Sequence, residues 1–363
     1  MKVFGVTAEF NPFHSGHRRL AEAARTEFGA DFVVAVMNGN YVQRGTPAVF
    51  DKWKRAEQAL DGGYDLVLEL PAALAVRHGG DFARYAVDIL AGTGIVTDII
   101  FGSETGDTEA LRRMAESIDA AEEEKAEEIR KLCKEGLSYP AARARVIPDV
   151  PAEPNDILGA EYIRALSAHP GIGVHTIKRD TGHHESAAEI RQLMLDDPSY
   201  GPRLRAMEER WFDLVRYAAA THTAEQIDEL PSGGEGLGNR ILKQLRYAAD
   251  MDGLTDRVKS KRYARTRIQR LFCQLVLGIS RGEASAPYIR VLAAGPGGRM
   301  LLREMNDKSL NTIPVVSDTL RGTGDPACDA VLRKETEASD IYSVVSGSDM
   351  YRLAEMVRKP SVR

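Results

Sequence analysis

Over its first hundred residues the chain alternates four short apolar runs with amphipathic stretches, and this alternation limits the fold more than any other feature. Strands are predicted at 2–9, 31–37, 65–70 and 97–101, with a fifth at 174–178. Helical periodicity fills 17–28, 51–60 and 81–90, and a further helix starts near Asn155. Strands so short, β-branched and nearly all apolar, set between helices, imply a parallel sheet covered on both faces. From about Gln192 longer amphipathic stretches take over, at 204–220, 223–230, 238–251, 264–279 and 297–305, with one short strand expected at 313–316. The fold class expected is α/β: a Rossmann-like parallel-sheet domain over 1–191, followed by a mainly α-helical domain over 192–363. A chain of 363 residues suits two domains. Neither a G-x-G-x-x-G fingerprint nor a P-loop is present.

Ligands of open parallel sheets sit off the carboxyl ends of the strands. Four polar clusters fall at those ends: Asn11/His14/His17, Asn38/Asn40/Gln43/Arg44, Gly102/Ser103/Glu104 and Lys178/Arg179. The first is the sharpest. In Glu9-Phe10-Asn11-Pro12-Phe13-His14-Ser15-Gly16-His17, two histidines three apart stand where a strand turns into a helix. A helix N-terminus offers unpaired N–H groups and a positive dipole end to an anion. Imidazoles placed there can donate to phosphate oxygens as charge develops. The run points to chemistry at the α-phosphate of a nucleotide. Histidines at this spacing also serve as half of a metal site, or as two surface residues. Cys133, Cys273 and Cys328 are isolated, however, and the adjacent His183-His184 pair is poor ligand geometry, so no protein metal ligands are expected.

A composition of 43% hydrophobic and 28% charged residues is ordinary for a soluble enzyme. No apolar stretch is long enough for a membrane span, residues 1–6 read as a strand rather than a signal peptide, and three scattered cysteines suit a reducing compartment. A cytoplasmic protein without a membrane partner is expected. The net charge of −5 argues against a general nucleic-acid coat protein. Its distribution is uneven, though. An acidic amphipathic helix is expected at 117–134, whereas 257–270 carries seven basic residues and no acidic one. Alone, such a run reads as a solvated face. Beside a nucleotide site, Lys259, Lys261, Arg262, Arg265, Arg267 and Arg270 become a candidate polyanion contact.

Taken together, several motifs resemble the bacterial tRNA(Met) cytidine acetate ligase family, within the HIGH-type nucleotidylyltransferase superfamily. Phe10–His17 matches the superfamily signature. Gly39-Asn40-Tyr41-Val42-Gln43-Arg44-Gly45-Thr46-Pro47-Ala48, Asp51-Lys52-Trp53 with Arg55-Ala56-Glu57, Leu68-Glu69-Leu70-Pro71 and Phe101-Gly102-Ser103-Glu104 narrow it. Pro154–Gly159, Ile177-Lys178-Arg179, Lys261–Arg265 and Tyr288–Leu292 extend the match, and Ser186-Ala187-Ala188-Glu189-Ile190-Arg191 is similar to the second phosphate motif. Departures lie at Asn38, at Ala188 and in Asp180–Glu185, where the family more often has other residues.

The resemblance implies an enzyme that makes acetyl-adenylate from ATP and acetate, with loss of pyrophosphate. It then acetylates N4 of the wobble cytidine of elongator tRNA(Met). His14 and His17 would be catalytic. ATP contacts implied are Thr7, Ala8, Glu9, Phe10, Asn11, Pro12, Phe13, His14, Ser15, Gly16, His17, Leu20, Gly102, Asn155, Lys178 and Arg179, with Ser186 and Arg191 on the leaving pyrophosphate. Mg²⁺ would bridge phosphates, with few protein ligands of its own. Plainer roles stand beside these: Gly102 as a turn, Asn155 and Ser186 as helix caps. Two other readings stay open, a small-molecule nucleotidylyltransferase building a nucleotide cofactor and a non-catalytic tRNA- or nucleotide-binding protein. The basic helical half favours tRNA over a small acceptor.

Overall fold

A computed structural model describes residues 1–135, 137, 139–146, 153–179, 186–281, 287–348 and 358–363. Among these residues seven strands, β1 (Val3–Ala8), β2 (Phe32–Asn38), β3 (Leu66–Leu70), β4 (Asp98–Ser103), β5 (Gly173–Lys178), β6 (Val291–Ala294) and β7 (Ser361–Val362), form one sheet in the order β5-β4-β1-β2-β3-β6-β7. The first five are mutually parallel; β6 runs antiparallel to β3. The expected parallel sheet is therefore present.

Burial on both faces explains why these strands read as unbroken apolar runs. Along β2, Val33, Ala35 and Met37 enter one core, whereas Val34 and Val36 enter the other. Helices Ser15–Thr26 and Lys52–Asp61 cover the first face, and Gly79–Gly92, Thr108–Glu124 and Pro154–Leu166 cover the second. A separate core joins helices Gly201–Ala220, Leu237–Leu245, Met251–Val258, Arg265–Leu277 and Pro326–Ser346. Strand order reverses at β1, with β2 on one side and β4 on the other, so a crevice opens beyond their carboxyl ends. Among the described residues no helix is long and apolar enough to cross a membrane.

Four buried charges tie the sheet to the helices. Lys52 Nζ contacts both Glu69, inside β3, and Glu335, on helix Pro326–Ser346. Arg290, just before β6, lies 3.1 Å from the second Glu69 oxygen. Glu335 also accepts from Ala72 N–H at 2.7 Å. Burial works against ionisation of Glu69, but the Lys52 and Arg290 charges more than offset it and hold the carboxyl well below its usual range.

The structure departs from the expected elements in three places. Residues 313–316 are no strand: Pro314 lacks an N–H for a ladder, and the segment makes a single bridge, Val315 to Ile289. The nearby strand is instead β6, so the chain beyond residue 192 is shared between the helical core and the sheet edge. The acidic 117–134 stretch is two helices, Thr108–Glu124 and Ala126–Lys134, parted at Lys125. The 238–251 stretch breaks likewise, into Leu237–Leu245 and Met251–Val258, because Asp250 caps the second through Gly253 N–H.

Glu69→Gln should lower unfolding free energy by ~3–5 kcal/mol, since it leaves Lys52 and Arg290 under-compensated in the interior. Denaturant melts at neutral pH measure this. With its folded pKa depressed, wild-type Glu69 contributes fully above about pH 4.5, and that contribution fades as the pH falls toward about 2. The variant should lose this acid-side slope.

Candidate active site

β1 ends at Ala8, and the next six residues turn the chain into helix Ser15–Thr26. The turn is built from packed rings. Phe10 is fully buried, at φ +48°, a left-handed conformation that a bulky residue adopts only when its surroundings impose it. Phe13, Tyr64 and His17 surround its ring, with centroids 4.9–5.2 Å away. Phe13 in turn lies against Gly62, where a Cβ would stand 2.0 Å from its Cζ.

The two histidines cap the helix reciprocally. His14 Nδ1 accepts from Gly16 N–H at 3.1 Å, and His17 Nδ1 accepts from His14 N–H at 3.2 Å. An Nδ1 that accepts carries no proton, so each neutral ring keeps its proton on Nε2. The rings lie with centroids 3.7 Å apart. Burial, then His14, then Arg179 push His17 well below the usual histidine range. It is a neutral N–H donor at a helix N-terminus, suited to oxygens that gain charge.

A cleft of about 1940 Å³ opens in front of this pair. Of the residues expected to contact ATP, it is lined by Thr7, Ala8, Glu9, Phe10, Asn11, His14, Gly16, His17, Leu20, Gly102, Asn155, Lys178, Arg179 and Ser186. Pro12, Phe13, Ser15 and Arg191 do not line it. Arg191 instead donates to the Asn11 carbonyl at 2.6 Å, while the Asn11 side chain accepts from Val49 N–H at 2.8 Å. Asn155 is not an N-cap: Glu153 holds that position. The Glu104 carboxylate satisfies the Asn155 and Asp156 N–H groups at 3.1 and 3.0 Å and holds the Asn155 amide as well. Arg179 lies 3.7 Å from the same carboxylate. Ser186 does cap its helix, accepting from Glu189 N–H at 3.2 Å, while the Glu189 carboxylate takes hydrogen bonds from the Ser186 N–H and side chain.

Arg267 and Arg270, with Gln274, form part of the wall of this cleft. Helix Arg265–Leu277 is pressed to the strand-end loop at Gly45, which sits at φ +84° with Arg270 backbone 2.5 Å from where a Cβ would be. Sequence reasoning missed Arg77 and Gln274 as wall residues; Gln274 donates to the Val76 carbonyl at 2.8 Å and ties helix Arg265–Leu277 to the segment that follows β3. No motif marks them.

Known proteins match this architecture along its length. The HIGH Nucleotidyl Transferase family model matches residues 1–355. The tRNA(Met) cytidine acetate ligase of Acetivibrio thermocellus is 32% identical, covering 98% of this chain and 97% of its own. The chain belongs to the tRNA(Met) cytidine acetate ligase family. The Bacillus subtilis member is 31% identical over 95% of this chain and 92% of its own. Crystal structures of Thermotoga maritima TmcAL, one bound with alpha-thio ATP and one apo, superpose with TM-scores of 0.86 and 0.87 at 30% and 29% identity, covering all of this chain and 99% of theirs.

Viewed as a family member, the chain uses its motif residues in two ways. Lys52, Glu69 and Arg290 belong to the buried charge cluster, whereas His14, His17, Gly102 and Arg179 line the cleft. The basic run divides as well. Lys259 and Lys261 are exposed and Arg262 is half-buried. Arg265 is paired with Asp252 and Asp256, and Arg267 with Glu235 at 3.2 Å. Burial and Arg267 push Arg270 down to about 10. The His183-His184 pair and the Asp180–Glu185 departure lie outside the described residues.

His17 supplies a pH test. Its folded pKa is depressed, so its neutral form stabilises the protein fully above about pH 6.5, and that contribution falls as the unfolded state takes up the proton below. Denaturation between pH 7 and 5 should show stability decreasing with acid, and His17→Asn should flatten that slope.

Proposed function

We propose that this chain is an ATP-dependent ligase that joins acetate to AMP, with release of pyrophosphate, and passes the acetyl group to N4 of the wobble cytidine of elongator tRNA(Met). The observation that carries the reading is the tautomer-fixed His14/His17 pair at a helix N-terminus, inside a cleft walled partly by the basic helical body. ATP-binding is supported by the alpha-thio ATP in the Thermotoga maritima relative, and the tRNA acceptor by the name its relatives share.

Acetate is a weak nucleophile, so its attack on the α-phosphorus depends on positioning and on stabilising charge. The Nε2–H groups of His14 and His17 would donate to phosphate oxygens, helped by the amides around Gly16. Ser186 would hold the leaving pyrophosphate at its own helix N-terminus. Arg191 would act through the Asn11 carbonyl, fixing the turn that carries the histidines. Mg²⁺ would travel with the nucleotide and offset phosphate charge, taking its ligands from phosphates and water; among the described residues no cluster of three His, Cys, Asp or Glu would hold it alone.

The size of the cleft bears on the choice between acceptors. At about 1940 Å³ it exceeds the ~300–1,000 Å³ usual for a small-molecule site, which leaves room for a nucleotide of a large acceptor beside ATP. Among the basic residues, exposed Lys259 and Lys261 with Arg262 are the proposed phosphate contacts, whereas Arg265 is already neutralised.

His14→Ala and His17→Ala should each lower acetate-dependent ATP–pyrophosphate exchange by ~10²–10³-fold. Activity that survives both changes would remove the phosphate assignment. Neutralising Lys259 and Lys261 should flatten the salt dependence of tRNA binding by close to one unit of log–log slope for each phosphate no longer neutralised. Arg265→Ala should change the slope little; a fall as large as for the lysines would show that Arg265 leaves its aspartates for the tRNA.

A further inference from the structure

Glu9 is out of keeping with its surroundings. It follows β1 directly and lines the same cleft as His14. Arg44, Arg191 and Arg55 all act on it electrostatically, so this corner is otherwise cationic. A carboxylate there opposes the binding of a triphosphate. It is nonetheless held firmly: Oε1 accepts from Gln43 N–H at 2.9 Å and faces the Asn38 amide at 3.5 Å, while Oε2 has no partner among the described residues.

Donors flank it. Gln43 also donates its side chain to the Arg77 carbonyl at 2.8 Å, and two residues on, Gly45 meets the Arg270 backbone. One corner of the cleft thus holds a fixed carboxylate acceptor with one oxygen open. The pairing edge of cytosine offers the complement, an N4 amino donor beside the N3 and O2 acceptors. Uracil reverses the first two positions, presenting an acceptor where Glu9 also accepts.

We propose that Glu9 accepts a proton from N4 of the target cytidine as that nitrogen attacks the acetyl group. This inference rests on the acetyl-transfer reading above. The N4 lone pair forms the C–N bond to the acetyl carbon. The bond from that carbon to the adenylate oxygen breaks, and AMP leaves with the electron pair. The N4 proton passes to Glu9 Oε2 and from there to water. Burial, against the pull of Gln43 N–H and the three arginines, raises the Glu9 carboxyl above its usual range, which makes the ionised form a stronger base.

The test compares two fates of acetyl-adenylate on the full chain with ATP, acetate and Mg²⁺. Hydroxylamine traps the adenylate as acetohydroxamate without needing a base, and nuclease digestion of a tRNA(Met) transcript reports N4-acetylcytidine. Glu9→Gln should lower the ratio of tRNA acetylation to hydroxamate formation by ~10²-fold or more, and Glu9→Asp should recover part of it. Loss of both products by the same factor in Glu9→Gln would make Glu9 a latch for the Gln43 loop and overturn the proposal. An unchanged ratio would overturn it too. If the wild type yields no acetohydroxamate from acetate, the acetyl-transfer reading itself falls, a result distinct from either.

Discussion

The site depends on one buried charge cluster. Glu69 lies near the end of β3, Lys52 starts a sheet-covering helix, Arg290 precedes β6, and Glu335 comes from helix Pro326–Ser346. Two cations and two anions are nearly inaccessible to water, and each would be costly to bury alone. An apolar replacement could serve stability as well, so the value of the cluster lies in geometry: the charges match in only one arrangement of sheet, strand-end loops and helical body. Glu335 stands so close to Gly39 that a Cβ there would lie 2.7 Å from its carboxylate. The loop that carries Gln43, Arg44 and Gly45 is fixed from beneath, and the helix of Arg270 and Gln274 closes over it.

On that frame the β1 turn needs little further support. Reciprocal capping gives His14 and His17 one tautomer each, and packing of Phe10, Phe13 and Tyr64 sustains the positive φ that aims the turn. Arg191 and Val49 hold the two ends of Asn11 from different elements. Under the proposed reading the turn is set before substrate arrives, so its electrostatic effect would require little reorganisation.

The sheet was legible in the sequence because parallel strands buried on both faces are apolar along their whole length. The histidine turn was legible because so few contexts place two imidazoles and an Asn-Pro at a strand-to-helix junction. Other features depend on partners far away in the chain. Arg265 and Arg267 read as free cations until Asp252, Asp256 and Glu235 fold against them. β6 is a four-residue strand that relies on β3, while the apolar run at 313–316 is disabled by Pro314. Glu69 entered the sequence reading only within an apolar strand and a family motif, and nothing local named Lys52, Arg290 or Glu335 as its companions.

The central claim is that acetate oxygen attacks the α-phosphorus and that cytidine N4 then breaks the carbon–oxygen bond. Supplying acetate labelled with oxygen-18 on both oxygens and analysing AMP and modified tRNA by mass spectrometry tests it directly. One labelled oxygen should appear in AMP and the other in the acetyl group on the wobble cytidine. Unlabelled AMP, or label in pyrophosphate, would contradict the account.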